Sequence, residues 1–391
     1  MTISALYSNP IPQYPNTPIS NLPILEKKQH VDFIIVGQGL AGTLLSHFLL
    51  LENQRVVVLD YPHEGRTSNI AAGLVNPVTG RRIAKSWRFE ELSAFAKETY
   101  QSLEGQLGVQ LWHDRRIVRA LHNTFEENEW MRRSGYPEFQ AYMNDEPEMI
   151  EFDGKIKEPH AWGELTGCAQ VALPLLVASW RKLLEREGLF FTENIDYQKL
   201  RFENGQVVYN NWSAQKLIFC EGAKAVENPF FNHLPFLATK GELLIVRIPS
   251  LQACRILKHK LFLVPLGEDL YWAGSTSRFE FEGPNPTLLG LETLLAELEK
   301  TLAVPFEVVS HLAGIRPTVA DLRPFLGLHP QYPALAIFNG LGTKGALLGP
   351  FFAKQMTNFL LGKGELEAEV DIKRFEQTVR SGHFFTKEQT G

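Results

Sequence analysis

Three glycines in the segment GQGLAG, at positions 37–42, have the spacing of a backbone turn that binds phosphate. Gly37 would let the chain turn sharply out of a strand, and Gly39, which lacks a Cβ atom, would let the backbone approach a pyrophosphate. Gly42 would let the following helix pack closely on a sheet. The chemistry that this spacing predicts is the binding of a negatively charged phosphate group by backbone N–H groups.

The elements that must position these glycines form one unit within residues 30–60. An apolar run precedes the glycines, a leucine-rich helical stretch follows them, and a second apolar run ends at Asp60. At the start of that helix, the N–H groups of Leu40 and Ala41 would face the phosphates. The carboxylate of Asp60 could accept hydrogen bonds from both ribose hydroxyls. This order predicts dinucleotide binding, and the alternative is a βαβ unit whose glycines serve only packing.

The composition describes an ordinary globular protein. The chain has 391 residues, of which 44% are hydrophobic and 21% are charged, so a substantial core and two domains are expected. The net charge of −5 gives no support for a nucleic-acid partner, which makes one unlikely without excluding a local basic patch such as residues 81–88. Three widely spaced cysteines form no CxxC pair, which favours neither a disulfide framework nor a zinc site.

The same features predict a cytoplasmic location. No apolar run reaches the length of a membrane span, and the proline-rich residues 1–29 lack the continuous apolar core of a signal peptide. We interpret this segment as an irregular arm without an assigned function.

Two further segments are rich in small residues. The long stretch 61–87 shows no helical or strand period, and such loops usually bind something. Its small residues would let backbone N–H groups approach a phosphate or a ring, and they are Ser68, Ala71, Ala72 and Gly73. A second glycine-rich loop precedes a helix at 346–361, which predicts another anion or dipole site. Its candidate residues are Gly340, Gly342, Thr343, Lys344 and Gly345.

The remaining pattern predicts an α/β protein with a discontinuous Rossmann-like domain and a second α+β domain built on a mostly antiparallel sheet. A buried strand ends at Gly222, where a doubly wound sheet would meet its ligand. Strands at 243–247, 256–264 and 270–274, followed by a helix within 284–302, form the second architecture. The predicted division is an arm at 1–29, a binding domain at 30–95, 166–238 and 308–376, a substrate domain at 96–165 and 239–307, and a tail at 377–391.

Taken together, these segments resemble the FAD-dependent D-amino acid oxidase superfamily, on its glycine oxidase and sarcosine oxidase side. The similar stretches are GQGLAG with Asp60, SNIAAGLVNP at 68–77, ATKGELL at 238–244, GIRPTVADLRPFLG at 314–327 and NGLGTKGALLGP at 339–350. The chain departs from the family pattern at Asp60, where Glu is commoner, and at Glu242, where Gln is usual. Because no cysteine lies near Arg316 or in the final loop, the resemblance implies FAD that is held non-covalently.

The resemblance implies oxidation of the C–N bond of a small amine or amino acid by hydride transfer to flavin N5. Arg316 matches the family residue that pairs with the substrate carboxylate, and the alternative is a structural ion pair with Asp321 or Glu242. Tyr271 is a second candidate for the pocket, with a plain core position as its alternative. The loop at 340–345 would stabilise negative charge on the flavin, and Lys344 would either add to this or face solvent.

Alternatives to this function stay open at the level of sequence. One is the flavin-dependent removal of a carboxymethyl group from a tRNA wobble uridine, whose secondary amine ends in a carboxylate that Arg316 would also suit. Another is a flavoprotein without catalytic activity. The substrate, the electron acceptor, with O2 as one candidate, and the choice between oxidase and dehydrogenase are not determined by these residues.

Overall fold

The computed structural model describes residues 29–80 and 82–375. The predicted arm, apart from Gln29, and the predicted tail lie outside the described residues, as does Arg81. Seven α-helices are described, and they are α1 (Leu40–Leu51), α2 (Phe89–Leu107), α3 (Thr124–Ser134), α4 (Pro137–Gln140), α5 (Leu173–Arg186), α6 (Leu288–Thr301) and α7 (Gly345–Leu360). None of the helices in the described ranges is both long and apolar enough to cross a membrane.

Nineteen strands are described within the same residues. The first nine are β1 (Gln29–Val36), β2 (Val56–Asp60), β3 (Leu74–Val75), β4 (Val78–Thr79), β5 (Ala84–Lys85), β6 (Trp112–Leu121), β7 (Met143–Asn144), β8 (Ala161–Val171) and β9 (Phe190–Thr192). The others are β10 (Arg201–Glu203), β11 (Gln206–Tyr209), β12 (Trp212–Phe219), β13 (Thr239–Arg247), β14 (Ile256–Lys258), β15 (Phe262–Gly267), β16 (Leu270–Gly274), β17 (Glu307–Arg316), β18 (Phe325–Leu328) and β19 (Leu335–Asn339).

The first sheet has the parallel centre that the βαβ unit predicts. Its order is β10-β11-β12-β1-β2-β9, and β19 joins it beside β12. Strand β1 runs parallel to both β12 and β2, and Ile34 and Ile35 at its centre are fully buried on opposite faces. One face packs against α1, α2, α5 and α7, because their apolar residues share a core with Phe33 and Ile35. The carboxyl ends of these parallel strands therefore meet at one edge.

The second sheet is mostly antiparallel, with the order β17-β13-β16-β15-β14-β6-β8-β3. On one face, core side chains of β13 and β16 pack with Leu294 and Leu298 of α6. On the other face, Leu243, Val264 and Trp272 belong to a separate apolar cluster. Because side chains alternate along a strand, each strand of this sheet serves two environments. The predicted fold class, a Rossmann-like domain with a second domain on a mostly antiparallel sheet, is confirmed.

Two details of the predicted chain differ from the structure. The predicted strand 256–264 is wrong, because β14 and β15 pair antiparallel across a turn at residues 259–261. The division into domains stays a prediction, although strand pairing bears on its boundaries. Both β8 and β17 belong to the second sheet, so that sheet includes residues 166–171 and 308–316, which were predicted in the first domain.

Candidate cofactor and substrate cavity

A cavity of about 820 Å³ lies between the carboxyl edge of the first sheet and one face of the second sheet. At one end its wall includes Asp60, the last residue of β2, and Gly222, which follows β12. At the other end the wall includes Leu243, Trp272 and Arg316 of the second sheet. This volume is within the range of small-molecule and cofactor sites.

The first glycine turn is packed too closely for side chains. Gly37 has a φ of +98°, and a Cβ atom there would lie 2.5 Å from the backbone oxygen of Cys220. At Gly42 a Cβ atom would lie 1.9 Å from the oxygen of Gly37, so only glycine lets α1 approach the turn this closely. Gly37 and Gly39 line the cavity, whereas Gly42 lies behind it.

The start of α1 faces the cavity. Gly39, Leu40, Ala41 and Ser68 all line it. The backbone N–H of Leu40 donates to Ser68 Oγ at 3.0 Å, which ties the loop 61–73 to the positive end of the helix dipole. A Cβ atom on Gly39 would lie 3.2 Å from the same hydroxyl. These backbone groups are therefore placed to bind a pyrophosphate.

The carboxylate of Asp60 is held by three donors. The backbone N–H of Gln38 donates to Oδ1 at 3.1 Å, and the guanidinium of Arg66 contacts the same oxygen at 2.6 Å. Arg181 donates to Oδ2 and, through Nε, to the side chain of Gln38 at 2.9 Å. Asp60 is 5% exposed, so this negative charge is buried but compensated. Sequence reasoning did not identify Arg66 or Arg181, because neither follows a spaced motif.

The loop 61–73 connects the two ends of the cavity. Thr67 Oγ1 donates to the backbone oxygen of Ile315 at 2.6 Å, and Trp272 Nε1 donates to that of Ile70 at 2.8 Å. Ala71, Ala72 and Gly73 line the cavity. Gly73 has a φ of +70°, and a Cβ atom there would lie 1.9 Å from the oxygen of Val171. The loop therefore borders the cavity from Asp60 to the second sheet.

The second glycine loop reaches the cavity only in part. Gly342, Thr343 and Gly345 line it, while Gly340 lies behind with a φ of +75°. The Lys344 ammonium donates to Ser86 Oγ at 3.1 Å, and burial lowers the pKa of Lys344. Its side chain thus points neither into the cavity nor freely into solvent, which differs from both predicted roles.

A carboxyl group with a raised pKa lines the cavity beside the first turn. Gly222, predicted from the strand end, has a φ of +59° and follows Glu221, and both line the wall. Glu221 accepts hydrogen bonds from Tyr197 Oη and from the side-chain amide of Asn228, each at 2.7 Å. Desolvation raises the pKa of Glu221 to about 7, despite these bonds and the charge of Lys224.

Arg316 stands at the opposite end of the cavity. Its Nη2 donates to Ser275 Oγ at 2.6 Å, and desolvation lowers its pKa. The guanidinium lies against Gly241, where a Cβ atom would be 2.0 Å from Nη2. Among the described residues Arg316 forms no ion pair. The alternative partners are engaged elsewhere, because Asp321 pairs with Arg374, and Glu242 contacts Lys240, His311 and Thr287.

Tyr271 does not belong to the site. It is 2% exposed, does not line the cavity, and its hydroxyl donates to the backbone oxygen of Leu251 and accepts from the N–H of Ala253 at 3.1 Å. The reason is strand alternation, since Tyr271 faces α6 whereas Trp272 faces the cavity. The prediction of Tyr271 as a catalytic candidate is therefore corrected.

The basic residues near 81–88 are largely compensated where they are described. Lys85 pairs with Glu90 at 2.5 Å, and Arg88 pairs with Glu91 at 2.7 Å and with Glu367 at 2.5 Å. Lys85 and Arg88 are therefore paired within the protein.

The residues of the cavity fit the phosphates and ribose of a dinucleotide. At the Asp60 end, the glycine turn would let the backbone approach a phosphate, and the start of α1 supplies N–H groups to bind it. The protein-family model described as "FAD dependent oxidoreductase" matches residues 32–359 of this chain. The chain belongs to this family. Its expected cofactor, FAD, and its expected character as an FAD-dependent oxidoreductase are thereby confirmed.

Individual relatives are distant in sequence but cover nearly the whole chain. Glycine oxidase of Bacillus subtilis is 22% identical over 363 residues, which is 86% of this chain and 94% of the relative. The crystal structure of glycine oxidase from Bacillus cereus is 19% identical, with a TM-score of 0.73 over 86% of this chain and 96% of that chain. Iminodiacetate oxidase from Chelativorans sp. BNC1 is 20% identical, with a TM-score of 0.70 over 86% and 97%. At these identities the structures show the fold alone.

Proposed function

We propose that this FAD-dependent oxidoreductase oxidises the C–N bond of a small amino acid whose carboxylate binds Arg316. The observation that carries the proposal is the state of this guanidinium, which lines the cavity without a carboxylate partner among the described residues. A desolvated cation is costly unless a partner compensates it, and a planar guanidinium suits a carboxylate in a two-bond arrangement. A substrate carboxylate would supply that partner.

The remaining groups at this end would position the carbon that reacts. Ser275 fixes one nitrogen of the guanidinium, and Gly241 supports the flat face, so the carboxylate can approach from only a few directions. Bound FAD supplies a two-electron acceptor for the hydride on the carbon next to the amine. The amine loses a proton as the substrate becomes an imine, and water then releases an oxo acid and ammonia or an amine.

The mode of FAD binding is part of the proposal. Of the three cysteines only Cys220 lines the cavity, and it lies beside Gly37 at the phosphate end rather than beside Arg316. This position supports the prediction of non-covalent FAD. We expect acid precipitation of the purified protein to leave the yellow colour in the supernatant, whereas colour in the pellet would contradict non-covalent binding.

An anaerobic substrate screen tests the proposed reaction. Purified yellow protein would be mixed with glycine, sarcosine, D-amino acids and N-substituted amino acids while flavin absorbance is followed. We expect at least one of them to bleach the flavin, and we expect the matching amine without a carboxylate to be far slower. Bleaching by dithionite but by no amino acid would overturn the proposal.

A further inference from the structure

A buried ion pair lies behind the strand that supports Arg316. Lys240 and Glu242 of β13 are each 1% exposed, and Lys240 Nζ lies 3.5 Å from Glu242 Oε1. The residue between them is Gly241, against which the Arg316 guanidinium lies. Because side chains alternate along a strand, the pair is on the opposite face of β13 from that guanidinium. Neither residue of the pair lines the cavity.

The carboxylate of Glu242 is charged in this environment. Burial alone would raise the pKa of Glu242, but the hydrogen bonds from Thr287 and the nearby Lys240 and His311 lower it. Desolvation lowers the pKa of Arg316, and no charged group among the described residues adds to that shift. We therefore ascribe no electrostatic effect on Arg316 to the pair.

Both side chains hold the end of the connecting segment 275–287, which runs from β16 to α6. The ammonium of Lys240 donates to the backbone oxygen of Asn285. Glu242 Oε2 accepts from the N–H of Thr287 at 2.8 Å, and Oε1 accepts from its hydroxyl at 2.8 Å. Thr287 is the N-cap of α6, since its Oγ1 also accepts from the N–H of Gly290 at 3.0 Å. The pair thus fixes the point at which the segment enters α6.

The start of the connecting segment is joined to the backbone of the same two residues. The N–H of Thr276 donates to the backbone oxygen of Glu242 at 3.0 Å, and the N–H of Glu242 donates to Thr276 Oγ1 at 2.9 Å. Arg278 exchanges two backbone hydrogen bonds at 2.9 Å with the other residue of the pair. Ser275, which accepts from Arg316 at 2.6 Å, directly precedes Thr276. Both ends of the segment are therefore fixed to the part of β13 that supports the guanidinium.

Between these attachments the connecting segment borders the cavity. Its lining residues include Ser277, Phe281, Gly283 and Pro284. The segment forms no helix or strand, and Phe279 near its centre is 61% exposed. Its position thus depends on the contacts at its two ends.

The contribution of such a pair to stability is small, because the desolvation of both charges offsets their attraction. An apolar pair of similar volume is often as stable, whereas loss of one partner leaves an uncompensated charge. What the pair supplies here is direction. Its ammonium and carboxylate bind backbone and hydroxyl groups of the connecting segment, which apolar side chains could not do.

We infer that Lys240 and Glu242 are positioning residues, which hold the connecting segment so that Ser275 and Gly241 keep the Arg316 guanidinium in the orientation that binds a carboxylate. This inference rests on the proposed function, since it takes Arg316 as the carboxylate site. It predicts that variants of the pair weaken carboxylate binding while FAD stays bound, although neither residue reaches the cavity.

Binding of acetate and isovalerate to yellow holoenzyme tests the inference without turnover. Both carry a carboxylate but no amine, so the perturbation of the flavin spectrum at saturating FAD and constant ionic strength gives each Kd. We expect Lys240→Met and Glu242→Gln each to raise these Kd values on the order of tenfold, because a displaced guanidinium loses part of its contact. The double variant should raise them no further, since the two side chains act as one unit. Glu297→Gln on α6, which removes the partner of Lys300, is the matched control and should keep the wild-type values.

The possible outcomes separate the two proposals. Unchanged Kd values in pair variants that bind FAD would show a purely structural pair, and would overturn the inference while leaving Arg316 as the carboxylate site. Single effects that multiply in the double variant would overturn the claim that the two residues act as a unit. No perturbation of the wild-type spectrum by either carboxylate would overturn the proposed function and the inference with it.

A milder pair of variants covers the case in which a charge-removing variant does not fold. Thr287→Val deletes the hydroxyl that donates to Glu242 Oε1, whereas Thr287→Ser keeps it. We expect the Kd of isovalerate to rise severalfold in Thr287→Val, because a hydrogen bond to a charged group is lost, and to stay at the wild-type value in Thr287→Ser. Asn123→Ala, which removes the N-cap of α3, controls for the loss of a helix cap. Equal Kd values in the valine and serine variants would overturn the inference.

Discussion

The two ends of the cavity differ in how their charged groups are compensated. Asp60 has three donors from the protein, including two guanidinium groups, before any ligand binds. Arg316 has one neutral hydroxyl as its polar partner among the described residues. The first end is suited to a cofactor that is the same in every turnover. The second end leaves a desolvated charge for a molecule that must enter and leave.

Because the two ends differ, we expect variants at one end to change FAD affinity and variants at the other end to change substrate kinetics. Changes around Asp60 should act on FAD affinity, since its groups would contact the nucleotide part of the cofactor. Changes around Arg316 should act on substrate kinetics while FAD remains bound, since its groups would contact only the substrate. The following variants are chosen so that each one can contradict this separation.

Arg316→Lys should have the largest effect. Lysine keeps the charge but cannot form the planar two-bond contact with a carboxylate or the same contact with Ser275. We expect kcat/KM for the best amino acid to fall by about 10³-fold, because the two parallel hydrogen bonds to a buried carboxylate are lost together. FAD content and the flavin spectrum should not change. A variant with wild-type kcat/KM would remove Arg316 from the proposed site.

Gly241→Ala tests whether the position of the guanidinium matters, rather than its presence alone. The new Cβ atom would lie within 2.5 Å of three guanidinium atoms, so Arg316 must move. A displacement of this kind can cost about 10²-fold in kcat/KM. The control is Gly105→Ala in α2, since no atom apart from the neighbouring backbone of its own helix lies within 4 Å of the new Cβ atom. Equal kinetics in the two variants would show that Arg316 needs no such support.

Asp60→Asn should weaken FAD binding rather than change the kinetics of the substrate. The amide would leave Arg66 and Arg181 without their carboxylate, and it would weaken the contact to ribose. We expect the Kd of FAD to rise by roughly 30-fold, while kcat/KM at saturating FAD stays within about twofold. Asp114→Asn, at a carboxylate that is 73% exposed, is the matched control for the loss of charge. A change in kcat/KM without a change in FAD affinity would contradict the separation of the two ends.

The smallest effect concerns pH and Glu221. Its folded pKa of about 7 lies above the ordinary value of 4.5, so the folded state holds the proton more tightly than the unfolded state does. This contribution to the free energy of unfolding is complete below pH 4.5 and is lost as pH rises through 7. Its size is about 2 kcal/mol, after a discount for partial exposure.

Glu221→Gln replaces the titratable carboxyl group with an amide that does not ionise. Thermal unfolding of wild-type and variant apoprotein should therefore show a Tm difference that shifts in favour of the variant between pH 5 and pH 8. Glu129→Gln, at a surface glutamate that pairs with Arg132, provides the control. A Tm difference that does not depend on pH would show that Glu221 is charged in the folded protein.

Sequence spacing defines the Asp60 end more closely than the Arg316 end, and chain separation is the reason. The turn 37–42 and Asp60 lie within one βαβ unit, so local spacing defines their positions. Arg316 meets Ser275 from 41 residues away, and nothing in the sequence around Ser275 indicates that contact. The contact of Lys344 with Ser86 was also missed, because a position at a helix start does not fix the direction of a long side chain.

Strand alternation explains the error at Tyr271. Because Tyr271 and Trp272 are adjacent residues of a strand, they face opposite sides of β16. Which side borders the cavity depends on where α6 packs, and that information lies in the tertiary structure. The strand predicted at 256–264 failed because its apolar residues continue through a turn, so hydrophobicity alone could not show the break between β14 and β15.

The central claim is that one FAD molecule spans the cavity from Asp60 to Arg316. Its ring would then face a substrate whose carboxylate is bound by that arginine. A crystal structure of the yellow protein with isovalerate tests this claim most directly. We predict ribose hydroxyls within hydrogen-bond distance of Asp60 and the isovalerate carboxylate on the Arg316 guanidinium, beside the flavin ring. Density with the flavin ring at the Asp60 end, or Arg316 paired with a carboxylate of the protein itself, would contradict the account.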